Sequence, residues 1–369
     1  YSITTINTEY GKGGNSFEPF KYPEVKISDS STFIEPPDTI LSSKPLTDLS
    51  GDTMVGPFDI NVDNKDYVIY TFKYNSAYDN TLGQTEYSFN LDEEVNADIL
   101  IIGGGGAGSH GGGGGGEVKY LQQQQFNGEY IINVGKGGDA PIANQLGDNG
   151  INSSITSNTG TSIVSYGGGG GAGRLAGLTS MSVPVYTTDV GSGGGVSYDS
   201  MTNFTNSTYI NFLNGYKGSL STRDSYGSPG GGGGAGGDAP VHRDTGDDIT
   251  STQNIMIPDG GIGLPISITG TSIYYGGGGA GGVNTVSGKA TTQVPTGGLG
   301  GGGNGANLDG GRGTAGDSGT GGGGGGSEAT SALDGSAGGS GIVIIRFPKP
   351  SSSSYTPPIT SSLPATIIK

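Results

Sequence analysis

The sequence has no cysteine and no tryptophan, only two histidines, and 17 lysines and arginines against 33 aspartates and glutamates. Without cysteine there can be no disulfide and no thiolate metal site, and the redox state of the compartment leaves no mark. The net charge of −16 and the scatter of the few cations argue against a nucleic-acid partner, because gripping a polyanion needs clustered Lys and Arg that displace its counterions. No run approaches the ~20 consecutive apolar residues of a membrane span, so membrane insertion is not expected, and Tyr1 opens no basic and apolar leader. Hydrophobic residues make up only 31% of the chain, enough for one compact core with much chain outside it.

Glycine takes their place, with 79 of 369 residues, about three times its usual share. Much of it lies in seven tracts: Gly103 to Gly106, Gly111 to Gly116, Gly167 to Gly171, Gly230 to Gly234, Gly276 to Gly279, Gly300 to Gly303 and Gly321 to Gly326. Around the tracts run β-branched and aromatic segments bounded by Gly, Asn and Asp. They read as strands over 67–74, 87–91, 97–102, 117–121, 130–134, 162–166, 272–275 and 341–347, with Gly128 marking a tight turn. No amphipathic helical period occurs, so the expected fold is all-β and antiparallel with essentially no α-helix. Proline-rich residues 1–60 read as an extended arm, 61–347 as a glycine-rich β-sandwich domain, and 348–369 as a Pro/Ser/Thr-rich tail.

A single glycine tract is ordinarily a flexible linker. Seven tracts of similar length, several launched from strands, fit an array of extended polyglycine helices better. A polyproline-II rod has three residues per turn, no internal hydrogen bonds, and outward-pointing N–H and C=O groups that neighbouring rods can satisfy if no Cβ intervenes. Ordering each residue costs ~1–2 kcal/mol against ~1 kcal/mol per hydrogen bond, so the rods need their ends fixed by a rigid β-core. The glycines expected to matter are Gly105, Gly113, Gly169, Gly232, Gly278, Gly302 and Gly323, one from each tract, whereas Gly147 is expected to sit in an ordinary loop.

Other motifs weigh less than they promise. Gly103-x-Gly105-x-x-Gly108 matches a dinucleotide-binding fingerprint, but six glycines follow Ser109 and His110 where that motif needs a helix. His110 and His242 read as exposed loop residues rather than a catalytic or zinc pair. The carboxylates at Asp92-Glu-Glu94, at Asp59, Asp63 and Asp66, and at Asp244, Asp247 and Asp248 match no calcium loop and read as solvated charge. No catalytic, cofactor-binding or metal-binding residue is expected. Tyr186, Tyr198, Tyr209, Tyr216 and Tyr226, set among Asn and Ser, form a candidate recognition surface, against which stands their burial in a small satellite core. Asn152, Asn203 and Asn206 lie in glycosylation sequons.

Three segments carry a resemblance: Ala97-Asp-Ile-Leu-Ile-Ile-Gly-Gly-Gly-Gly-Ala-Gly108, Tyr130-Ile-Ile-Asn-Val-Gly-Lys-Gly-Gly138 and Gly338-Gly-Ser-Gly-Ile-Val-Ile-Ile-Arg-Phe347. Over roughly residues 65 to 347 the chain resembles the glycine-rich domain of viral and phage surface proteins, in versions from large DNA viruses of aquatic protists and from tail-fibre adhesins. It is also similar in arrangement to the glycine-rich ectodomain of anaplastic lymphoma kinase. The resemblance implies a jelly-roll sandwich like that of tumour necrosis factor, with a polyglycine II bundle inserted, in a virion-surface or extracellular setting. The expected function is a non-enzymatic structural protein, a fibre or an outer or minor capsid component. A host-attachment adhesin reading a glycan or receptor, and an extracellular filament subunit, are the alternatives. The expected partners are other virion or filament proteins held through the terminal arms, and further copies in a homo-oligomer.

Overall fold

The computed structural model describes residues 54–62, 64–142, 145–173, 189–195, 215–219, 229–240, 258–283, 294–306, 311–328 and 334–349. Nine strands fall within them: β1 (Met54–Val62), β2 (Lys65–Lys73), β3 (Gln84–Ile102), β4 (Val118–Gly135), β5 (Ser153–Ser157), β6 (Ser162–Ser165), β7 (Leu264–Ile266), β8 (Ile273–Tyr275) and β9 (Ile342–Pro348). The one helical turn among the described residues is the 3-10 turn Ser76–Tyr78. The fold is therefore all-β. Seven strands form one antiparallel sheet in the order β1-β2-β9-β3-β4-β5-β6, and β7 and β8 form a separate hairpin.

The sheet takes its shape from the long pair β3 and β4, each read from the sequence as two strands. Their register shifts between Leu91 and Val95 and again between Ala97 and Ile99. At the first shift Gly128, with φ +82°, lies inside β4 opposite Leu91. It serves a β-bulge rather than the expected tight turn; both need a positive φ, which glycine adopts without strain. Only the second half of β3 pairs with β9, and only the second half of β4 pairs with β5.

The two halves of the sheet fold over each other. Phe72 of β2 lies 5.3 Å from the Tyr87 ring and 6.4 Å from the Phe89 ring in the first half of β3, although the ladder partners of β2 are β1 and β9. Between the halves sits a core that includes Val68, Phe72, Tyr87, Phe89, Ile99, Ile132 and Ile345. The other face of β2, β3 and β9 is apolar as well: Ile69, Leu100, Ile102 and Ile344 pack against Ile268 and Tyr275 from the β7–β8 hairpin. Burial on both faces explains the unbroken runs Ile99–Ile102 and Ile342–Ile345, each side chain contributing ~1.5–3 kcal/mol.

β1, β5 and β7 were not anticipated. β5, Ser-Ser-Ile-Thr-Ser, lacks the apolar density of the others, and β1 takes in the last residues of the segment read as an arm. Pro57 falls in the β1 register shift between Val55 and Phe58, at a sheet edge where a missing N–H does no harm.

Candidate functional site

Several glycine rods are direct continuations of strands. β3 runs into Gly103, rod 111–117 runs into β4, β6 leads through Tyr166 into Gly167, β8 into Gly276, and Gly341 into β9. The strands thus fix the near ends of the rods, which reduces the entropy that ordering them would otherwise oppose.

Rod 111–117 reveals the packing rule. Gly112 and Gly115 donate to the carbonyls of Gly230 and Gly233, Gly113 and Gly116 to Gly324 and Gly321, and Gly111, Gly114 and Glu117 to Ala172, Gly169 and Tyr166, all at 2.8–3.0 Å. Residues three apart address the same neighbour. The carbonyls repeat the pattern, with Gly112 and Gly115 accepting from Gly195 and Ser192, Gly114 and Glu117 from Gly106 and Gly103, and Gly113 from Gly279. Three rods receive its amides and three others bond its carbonyls, so six surround it. A repeat of three with every peptide group turned outward is that of a polyproline-II helix. Rod 230–235 runs parallel to 111–117, and rods 167–172 and 321–327 run antiparallel, as the order of the partners shows.

This closeness leaves no room for a side chain. A Cβ on Gly113 would lie 2.1 Å from the carbonyl oxygen of Gly106, one on Gly232 2.0 Å from that of Gly113, and one on Gly323 2.0 Å from the same oxygen. At Gly105, Gly278 and Gly302 the obstructing carbonyls belong to Gly322, Gly232 and Gly278, at 2.1, 2.1 and 2.2 Å. Gly169 donates to Ser192 and accepts from Gly114. Gly147 differs from its expectation: its amide bonds Gly171 and a Cβ there would meet the Ala107 oxygen at 2.3 Å, so it belongs to the bundle.

Residues 81–348, well over half of the chain, match the family described as Glycine-rich domain. The chain belongs to this family. No curated protein and no solved structure matches it.

The glycine-rich domain contains more rods than its glycine tracts suggest. Residues 147–151, 191–195 and 258–263 join the array with a mixed composition, through bonds such as Gly150 to Gly168, Ser192 to Gly115 and Gly261 to Gly232. Where no rod adjoins, side chains take the amides. Asn152 Oδ1 accepts from Gly167 and Asn149 Oδ1 from Gly170, both at 2.9 Å, while Asp238, Asp259 and Asn304 accept from Lys217, Thr296 and Gly297. A local signal existed in the sequence: Asn149 and Asn152 are three apart, like the amides they cap.

The dinucleotide-like motif lies in a rod rather than at a helix start. The amides of Gly103, Gly105 and Gly108 go to Glu117, Gly339 and Ser336. His110 is fully buried, contrary to its reading as an exposed loop residue. The turn at Ser109–His110 is itself enclosed by rods, its groups bonding Ala172, Gly282 and Ser327. His242 lies outside the described residues.

Among the described residues no group of His, Asp or Glu is arranged to hold a metal ion. Asp59 pairs with Lys349 at 2.7 Å, Asp66 accepts from Asn61, and Glu94 accepts from Gln125. Asp63, Asp244, Asp247 and Asp248 lie outside the described residues, as do Tyr186, Tyr198, Tyr209 and Tyr226 and the sequons at Asn203 and Asn206. Tyr216 exposes its ring on rod 215–219, with its amide donating to Ser192 Oγ and its carbonyl accepting from Gly193.

Two ion pairs went unread, one buried and one whose lysine is half-buried. Arg346 of β9 binds Asp98 of β3 at 2.6 Å, donates to the Ile268 carbonyl and the Tyr120 hydroxyl, and stacks 4.5 Å from the Tyr67 ring centroid. Asp98 also accepts the amide of Gln123, whose φ of +53° marks the second bulge. The pair therefore ties β2, β3, β4, β9 and the β7–β8 connection together. Where sheet meets bundle, Glu117 pairs with Lys119 at 3.1 Å and accepts the amide of Tyr166, while Lys119 donates to the Val164 carbonyl. Buried charges persist only when bonded this fully.

Proposed function

We propose that this chain is a non-enzymatic structural protein of a virion surface, a fibre or an outer or minor capsid component, in which a jelly-roll sandwich like that of tumour necrosis factor anchors a stiff polyglycine II mast. The observation that carries the reading is the enclosure of rod 111–117 by six bonded neighbours. Such packing commits the backbone's hydrogen-bonding groups to one another, which suits a load-bearing spacer. The folded-over antiparallel sheet supports the sandwich part of the reading, and the resemblance of the motif segments supports the setting. In this reading the terminal arms bind other particle proteins, and several copies assemble side by side as a homo-oligomer.

A second reading, a host-attachment adhesin for a glycan or surface receptor, draws on the exposed ring of Tyr216. Tyr- and Asn-rich sequence also follows the rod that reaches Gly195, on the side away from the strands. Antibodies against the recombinant chain, applied to gradient-purified particles of its source, test the first reading. Co-sedimentation in many copies per particle supports it, labelling of sparse tips favours the adhesin, and recovery only in particle-free fractions overturns both.

A further inference from the structure

Rod 167–172 has three donor faces, and only two of them meet a rod. Gly168 and Gly171 donate to Gly104 and Ala107, and Gly169 and Ala172 to Ser192 and Gly195. The third face, Gly167 and Gly170, donates to the side-chain oxygens of Asn152 and Asn149. Both asparagines come from residues 147–152, which already bond this rod through the amides of Gly147 and Gly150 to Gly171 and Gly168. Their carboxamides thus reach around to the place where the peptide carbonyls of another rod would lie. The match is of spacing and of chemistry, because a carboxamide oxygen accepts like a peptide oxygen and residues three apart serve amides three apart.

We propose that Asn149 and Asn152 terminate the glycine lattice at this face, and that the place they fill is a latent docking site for an extended glycine rod of a second copy of this chain. The threefold repeat gives a rod six neighbour positions, and a rod at the rim of the bundle leaves some of them without a rod, so a bundle without caps presents open donors to any similar chain, as an uncovered strand edge does in a sheet. The same device recurs at Asp238, Asp259 and Asn304, which take the amides of Lys217, Thr296 and Gly297. The nearby exposed carboxylate of Asp148 adds like-charge repulsion against an acidic second copy.

Two pairs of substitutions in the full chain separate a cap from a mere surface contact. Replacing Asn149→Gly with Asn152→Gly removes the caps without adding bulk, and sedimentation over a range of concentrations should show self-association at least tenfold tighter than the parent's. Asn149→Asp with Asn152→Asp keeps the acceptor oxygens and should sediment like the parent. Should the glycine pair not fold, Asn149→Ala with Asn152→Ala decides by amide exchange, which should accelerate at least tenfold at Gly167 and Gly170 while Gly168 and Gly169 stay protected. Unchanged sedimentation of a folded glycine pair, or parental exchange at Gly167 and Gly170 in the alanine pair, overturns the proposal.

Discussion

The sheet and the bundle are two solutions to the same problem, and they differ in which atoms make the core. In the sheet, side chains such as Phe72, Ile99 and Ile345 exclude water, and the backbone bonds only along the ladder. In the bundle the backbone is itself the core: Gly103 to Gly106 and Gly111 to Glu117 are all buried with almost no side chain to bury. Sheet stability should therefore depend on removing groups, and bundle stability on adding them. Packing by peptide groups also works only at short range, so positions facing a neighbouring carbonyl tolerate no Cβ, whereas Ala107, Ala280 and Ser192 are accommodated in the rods.

The largest expected effect lies on the sheet side. Arg346→Met leaves Asp98 charged and buried, and should destabilise the protein by about 3–5 kcal/mol in denaturant unfolding, whereas Asp98→Leu with Arg346→Met should recover most of that loss. Equal stability of the single and double variants would show that the pair is solvated and does not organise the sheet.

Next comes the bundle itself. Gly113→Ala places a methyl group 2.1 Å from the Gly106 oxygen, and should cost about 3 kcal/mol or more by displacing bonded rods. A variant melting at or above the parental temperature would return the tracts to the role of tethers, for which the narrowed unfolded ensemble favours alanine.

A smaller effect tests the hairpin between sheet and bundle. Burial pushes the Tyr275 hydroxyl up to about 12 from 10.0. Burial and then Asp79 do the same to Tyr74, and burial raises Tyr87 further. The raised pKa means that the folded state holds the proton more tightly, so this stability is fully present below about pH 10 and is lost between about pH 10 and 12. Tyr275→Phe should flatten the decline in unfolding free energy from pH 8 to about pH 11 by about 1.4 kcal/mol. An unchanged pH profile would place the ring in contact with water.

The smallest effect is a control. A Cβ on Gly237 would meet only the Ile262 side chain, at 3.2 Å, and Ile262 is exposed, so Gly237→Ala should change stability by no more than about 0.5 kcal/mol. A loss as large as that at Gly113 would mean that any alanine in this glycine-rich chain is harmful, regardless of what it meets.

Much of this was legible in local composition. The seven tracts announced rods, and the apolar runs beside them announced the strands from which the rods spring. What escaped depends on distant partners. Residues 147–151 become a rod because Gly168 and Gly171 lie beside them, and nothing in Gly-Asp-Asn-Gly-Ile alone says so. Likewise Asp92-Glu-Glu94 looked like a break between strands, yet β3 continues through it because bulges absorb the mismatch with β4. His110 is polar and lies between Ser109 and Gly111, which suggests a surface turn; it is buried because later segments close over it. Of the five tyrosines in the candidate surface, Tyr216 alone lies among the described residues, and its ring is exposed.

The place of β9 determines when the chain can fold. Last of the described strands in sequence, it lies between β2 and β3, and the residues leading into it, Gly338 to Gly341, bond back to Gly138, Gly322 and Gly135. A ribosome delivering ~5–20 residues per second thus releases β2 and β3 long before the strand that separates and pairs them. Until residue 348 emerges, Ile69, Leu100 and Phe72 lack their central partner. The seven-stranded sheet can therefore close only once β9 has been made, and a ribosome stalled before it leaves β2 and β3 without the strand that joins them.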